Sequence, residues 1–298
     1  MAHKIAHITF EDLRKWDGHV ANIKGLFTNS TDSFTCYNAP SHELPSRDEL
    51  DNTDALLLTG SHYSAHDDSL PWLPKAQATL RSAALKARST GRPKIFALCF
   101  GCQLLARALT GRVGPNPSNA FVAKVEHLRM RNDSLSQLPA TQHAQRLFPH
   151  PVDHSTGMLC DIRLLESHGD QILELGDECD WFAESDTAAY EGFMYGKSVV
   201  ALQGHPDLSI LELSNIIIEP LMQKGRIPPE EAREEHARAL REPNSSLFFI
   251  ALIRSFLHFD DTSETADDVI AAVKKKEACL QEAQGGQLPE TPKGLECP

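Results

Sequence analysis

The chain has 298 residues, enough for one large domain or two small ones at roughly 100–200 residues each. Hydrophobic residues make up 41% and charged residues 23%, a balance that excludes a disordered or fibrous chain. The formal net charge of −12 argues against nucleic-acid and anionic-membrane partners, since both reward a basic surface.

The start, "MAHKIAHITF", lacks the apolar segment of a secretory signal. "KIAHITF" (4–10) suits a first strand, and "DALLLTG" (54–60) is a short buried strand ending in glycine. A helix is expected over 74–89, with Pro74 in its first turn. "KIFAL" (94–98) is another buried strand, and "CQLLARALTG" (102–111) a helix closed by Gly111. Strands separated by helices of this length imply an α/β fold, a mostly parallel sheet flanked by helices.

"FVAKVEHLRM" (121–130) alternates as a half-exposed strand, and the polar stretch 131–157 reads as an insertion or long loop. Several short strands joined by turns follow between 162 and 206. After 208 the pattern is helical: 208–225 has an apolar face, 228–242 is a charged helix with a solvated face, and "SLFFIALIRSFLHF" (246–259) should pack on the body. No linker divides the chain, so one domain is expected over 1–260. A tail follows over 261–298, with one helix at 264–283 and a frayed end from 284. The longest apolar runs, such as 247–253, fall far short of the ~20 residues a bilayer requires. Seven cysteines without framework spacing read as free thiols in a reducing compartment, so a cytoplasmic location is expected.

The chemistry concentrates in "KIFALCFGCQ". A buried strand enters, the chain turns at Cys99–Gly101, and a helix begins near Cys102. Such a turn lifts one side chain above the end of a sheet, and a cysteine at a helix N-terminus is favoured as thiolate. The amide of Phe100 would point toward the site, ready to stabilise an oxyanion. A cysteine nucleophile needs a base and the base an orienting acceptor. "VVALQGHPDL" (199–208) offers both at a second strand end, His205 and Asp207. Cys102, one turn behind, reads as a packing residue, and a C-x-x-C redox role is the weaker alternative. No second C-x-x-C exists for zinc, and His62, His66, Asp67 and Asp68 read as a polar loop, so no metal is expected. Cys36, Cys160, Cys179, Cys279 and Cys297 carry no signal.

"FALCFGCQLLARALTGRVGPNP" followed by "LQGHPD" resembles the class I (triad) glutamine amidotransferase family, whose hallmarks are a cysteine elbow and a distal H-P-E. "ALLLTGSHYSAHDDSLPWL" (55–73) and "LLESHGDQILELGDECDWFAESD" (164–186) resemble further blocks of the same family. The resemblance is to its GMP-synthase-amidotransferase-like, γ-glutamyl peptidase-like branch. It implies a flavodoxin-like fold and a thioester formed on Cys99, with His205 as base and Asp207 orienting it. The amides of Gly60 or Ser61 and of Phe100 would form the oxyanion hole. Gln103 and the segment Ser167, His168 and Gly169 would hold the glutamyl α-groups. The chain departs from the family pattern at Asp207 (usually Glu), Ala97 (usually Gly) and Cys102.

The resemblance implies a hydrolase of a small-molecule γ-glutamyl amide without a cofactor. It would act alone or hand ammonia to a separate ammonia-accepting synthetase subunit. Two alternatives stay open: a weakened amidotransferase-like binding or regulatory protein, suggested by Asp207, and a thiol redox protein using Cys99 and Cys102.

Overall fold

Short apolar strands alternate with helices over the first third of the chain in the computed structural model, which describes residues 2–16, 18–241 and 244–283. β1 (Lys4–Thr9), α1 (His19–Phe27), β2 (Ser33–Asn38), α2 (Arg47–Asp51) and β3 (Ala55–Leu58) come first. α3 (Leu73–Thr90), β4 (Lys94–Leu98), α4 (Phe100–Ala108) and β5 (Arg112–Pro115) follow. The middle holds β6 (Val122–Arg131), α5 (Asn132–Leu135), α6 (Pro139–Leu147), β7 (Val152–Asp153) and β8 (Met158–His168). Then come β9 (Asp170–Glu174), β10 (Asp180–Glu184), β11 (Gly192–Met194) and β12 (Val199–Leu202). α7 (Ile210–Glu212) passes through a π-helical turn into α8 (Glu219–Gln223), and α9 (Pro229–Arg241), α10 (Ser246–Leu257) and α11 (Ala266–Ala283) close the described chain.

Ten strands form one sheet in the order β2-β1-β3-β4-β12-β11-β10-β6-β8-β7. From β2 to β12 neighbouring strands are parallel, as strands joined through crossover helices must be. From β12 outward they are antiparallel, and short connections join β10 to β11, β11 to β12 and β7 to β8. The α/β class expected is the class observed, and the parallel run carries the site.

Strand alternation sorts the apolar residues onto two faces. Leu57, Phe96, Leu98, Val200 and Leu202 face α1, α6 and the nearly wholly buried α10. Leu56, Leu58, Ile95, Ala97 and Ala201 face α3 and α4. Small residues Ala76, Ala83, Ala84 and Ala87 let α3 lie close on this second face. Arg254 inside α10 is tolerated because it is satisfied: it donates to the Leu26 carbonyl (2.7 Å) and to Glu264 Oε1 (2.6 Å from Nε).

Two stretches differ from their reading. Residues 131–157, expected as a loop or insertion, hold α5, α6 and β7, and α6 buries Ala140, His143 and Ala144 against α10. Ala140, Ala144 and Leu147 are the apolar residues of its packed face, too few and too small for periodicity to declare it. The helix expected in the tail is α11, and it belongs to the body: Val269 is buried beside α10, and Lys276 reaches the site described next. The end expected to fray, 284–298, and Cys297 within it, lie outside the described residues.

Candidate active site

β4 and β12 pair in register, Leu98 opposite Leu202, so their carboxyl ends emerge side by side. The Cys99 amide donates to the Leu202 carbonyl at 2.9 Å, and the His205 amide to the Leu165 carbonyl at 2.8 Å. Cys99 itself has φ 49° and ψ −111°, the left-handed region that costs a non-glycine residue about 1–3 kcal/mol. That is the strained elbow expected from "ALCFGC". Gly101 permits it: a Cβ there would stand 2.7 Å from Leu58 Cβ and 3.0 Å from the Leu58 carbonyl carbon. α4 therefore starts hard against the end of β3. As the first residue of α4, Phe100 has an amide with no partner within the helix.

His205 Nδ1 lies 3.1 Å from Asp207 Oδ1, and the ring stands close enough to Cys99 to feel its charge. Cys99 Sγ lies 3.7 Å from the Ser167 carbonyl oxygen as well. Burial works against a charged His205, yet the Cys99 and Asp207 charges, with the bond to Asp207, raise its pKa from 6.5 to about 10. Burial likewise opposes charge on Asp207, but the facing His205 holds that carboxyl far below the usual carboxylate range. The shorter Asp still reaches its histidine.

A cavity of about 340 Å³ opens above this group. Its walls include every site residue picked out from the sequence: Cys99, His205, Asp207, Gly60, Ser61, Phe100, Gln103, Ser167, His168 and Gly169. Gly60 is set between the pair, since a Cβ there would stand 3.2 Å from His205 Cε1 and 3.6 Å from Cys99 Cβ. The Ser61 hydroxyl is committed, donating to the Phe10 carbonyl at 2.6 Å. Gln103 spends its amide nitrogen on the Asp170 carbonyl (2.7 Å) and Gln203 Oε1 (3.0 Å). His168 is turned inward, with Nδ1 3.1 Å from the Asp170 carbonyl.

Cys102 is fully buried, and burial first, then the Cys99 charge, pushes its thiol well above the ordinary range. The thiols of Cys99 and Cys102 are both free. His62 pairs with Glu11 at 2.7 Å and His66 with Asp170 at 3.4 Å, so the loop read as polar is held by ordinary pairs.

Some neighbours of the site had escaped sequence reading. His19, on the first turn of α1, places Nε2 3.8 Å from Asp207 Oδ2. Lys276 of α11 donates to the Asp207 carbonyl and lies 2.6 Å from Glu212 Oε2. Trp16, Phe121, Lys224 and Arg226 also line the cavity. None belongs to a local motif; only the fold brings them to Asp207 or the cavity wall.

The fold and this strand-end cysteine with its histidine and carboxylate define an amidotransferase-like α/β protein. The glutamine amidotransferase class-I family model matches residues 30–219. The chain belongs to the class I glutamine amidotransferase family. It is 22% identical over 227 residues to a glutamine amidotransferase-like protein of Schizosaccharomyces pombe, covering 76% of this chain and 81% of that one. It is 24% identical over 240 residues to γ-glutamyl peptidase 5 of Arabidopsis thaliana, covering 77% and 85%. The crystal structure of a glutamine amidotransferase from Thermotoga maritima superposes with a TM-score of 0.60 at 20% identity, over 86% of this chain and 98% of that chain. Among the described residues, no helix is long and apolar enough to cross a membrane.

Proposed function

We propose that the chain hydrolyses a γ-glutamyl amide, glutamine or a γ-glutamyl peptide, through a thioester on Cys99. The observation that carries this reading is the strained Cys99 set on one cavity wall with His205, whose Nδ1 faces the buried Asp207. The likeness to γ-glutamyl peptidase 5 supports the γ-glutamyl part.

His205 holds the thiol proton, and Cys99 Sγ attacks the γ-carbonyl carbon. The oxyanion is met by the amides of Phe100 and of Gly60 or Ser61; the Ser61 hydroxyl is committed elsewhere. His205 returns the proton to the departing nitrogen as the C–N bond breaks, leaving the thioester. Water enters, His205 takes its proton, and the C–S bond breaks to release glutamate. Asp207 fixes the ring so that Nε2 faces sulfur. The Ser167–Gly169 segment and Gln103 Oε1 offer acceptors to the glutamyl α-ammonium, while the Lys224 and Arg226 cations suit a carboxylate. Where the leaving group is ammonia, an ammonia-accepting synthetase subunit is the partner this chemistry would serve.

The 3.1 Å bond to Asp207 argues against a weakened binding protein, and the sealed, protonated Cys102 argues against a redox pair. Glutamate release from glutamine, γ-glutamyl dipeptides and γ-glutamyl tripeptides tests the reading. Release by the wild type and none by Cys99→Ala is expected; a folded wild type inert toward the whole panel would sink it.

A further inference from the structure

Beneath the cavity floor, three acceptors converge where no donor meets them. Glu166 and His168, both on β8, face Glu191, which immediately precedes β11. Glu166 and Glu191 are 0% exposed and His168 3%. One ligand atom from each lies within 4.8 Å of the other two. Both carboxylate oxygens of Glu166, Oε2 of Glu191 and Nε2 of His168 are buried without a hydrogen-bond partner. Unsatisfied buried acceptors of this number are costly unless a positive centre joins them.

The surroundings orient these atoms toward one point. His168 Nδ1 carries its proton toward the Asp170 carbonyl at 3.1 Å, which leaves the Nε2 lone pair facing the carboxylates. The Ser185 hydroxyl donates to Glu191 Oε1 at 2.6 Å and fixes that carboxylate with Oε2 free. Gly204 makes the room, because a Cβ there would collide with Glu166 Oε1 and stand 2.9 Å from its carboxyl carbon. Lys124, the cation felt at His168, is already paired with Glu126 at 3.0 Å. Among the described residues no lysine or arginine is ion-paired with Glu166 or Glu191.

Spacing rules out a proton shared between His168 and Glu166. His168 Nε2 and Glu166 Oε2 are 3.7 Å apart, too far for a protonated carboxyl to donate to the ring. Ligand atoms about 2.1 Å from a tetrahedral zinc-class ion stand about 3.4 Å from one another, within a few tenths of that separation.

We propose that Glu166, His168 and Glu191 bind one divalent transition-metal ion of the zinc or manganese class, buried behind the cysteine elbow. The mixed oxygen and nitrogen donor set suits such an ion, and its two positive charges balance the two carboxylates. The sealed position makes the ion a structural one, loaded as the β8–β11 region folds. This departs from the sequence-based expectation of a metal-free protein, and its test does not depend on the proposed hydrolysis.

The test is metal analysis of the full chain, purified and also refolded with Zn²⁺ or Mn²⁺ and then passed through a chelating resin. About one equivalent of metal per chain is expected, with a melting temperature about 5 °C or more above the metal-free protein. The conservative pair Glu166→Gln and Glu191→Gln should abolish both the metal and the shift. Less than a tenth of an equivalent in the wild type under every loading condition would overturn the site. So would full metal retention by the double variant, or an infrared carboxylic-acid band assigned to Glu166 or Glu191 in the loaded wild type. The wild-type measurement decides even if the double variant fails to fold.

Discussion

Replacing Asp207 by Asn isolates the electrostatic part of the site, because the side chain keeps its shape and loses its charge. In the native chain the His205 imidazolium is favoured by roughly 5 kcal/mol, taken from the rise from 6.5 to about 10 at 1.36 kcal/mol per tenfold. Burial opposes that charge; the Cys99 charge and the Asp207 charge, with its hydrogen bond, supply the countervailing attraction. Asn removes one of the two charges and weakens the 3.1 Å bond, so the histidine should titrate more than one pH unit lower. Its Nδ1–H loses an ionic acceptor, and a fall of about 10²–10⁴-fold in glutamate release should follow. The stability sign follows from the raised value. A His205 raised in the folded state stabilises fully below pH 6.5, and that contribution is lost as the pH climbs toward 10. The variant should lose this contribution at a lower pH. NMR titration of labelled histidine, with glutamate release from the same sample, reads both effects. An unchanged titration with release within threefold of the wild type would refute the orienting role of Asp207.

Cys102→Ala should keep glutamate release within about threefold, since its sealed thiol stays protonated; abolished release with an intact fold would revive the redox reading. Lys276→Met should cost about 3–5 kcal/mol in denaturant unfolding, because it strands buried Glu212, and adding Glu212→Gln should recover part of the loss. A purely additive double variant would show that the pair does not interact. Gly101→Ala should cost about 1–3 kcal/mol and slow turnover, since its Cβ meets the Leu58 carbonyl carbon at 3.0 Å and must push α4 off β3. Unchanged stability and rate would mean that the elbow tolerates the shift.

What could be read before folding was local. "KIFAL" and "SVVALQGHP" are apolar strands ended by small or turn-forming residues, so the elbow and the His-Pro-Asp strand end declared themselves. Edge strand β2, "SFTCYN", did not: it is half-exposed and carries little apolar signal. Nor did α1, which starts at Gly18 without a side-chain cap. Convergence across the sheet was beyond sequence spacing altogether. Glu166 meets Glu191 only because β8, β6, β10 and β11 stand in that order, and Lys276 reaches Asp207 from 69 positions away because α11 packs on α1 and α10. Asp207 looked short for its task; the His205 Nδ1 contact at 3.1 Å removes that concern.

The central claim is that Cys99 is the atom that attacks. Exposure of the full chain to a diazo-ketone analogue of glutamine, followed by intact-mass analysis and peptide mapping, tests it most directly. A single adduct on Cys99 in the wild type, slowed in His205→Ala and absent in Cys99→Ala, is the predicted result. A chain that releases glutamate while Cys99 stays unmodified, or an adduct that persists in Cys99→Ala at another residue, would contradict it.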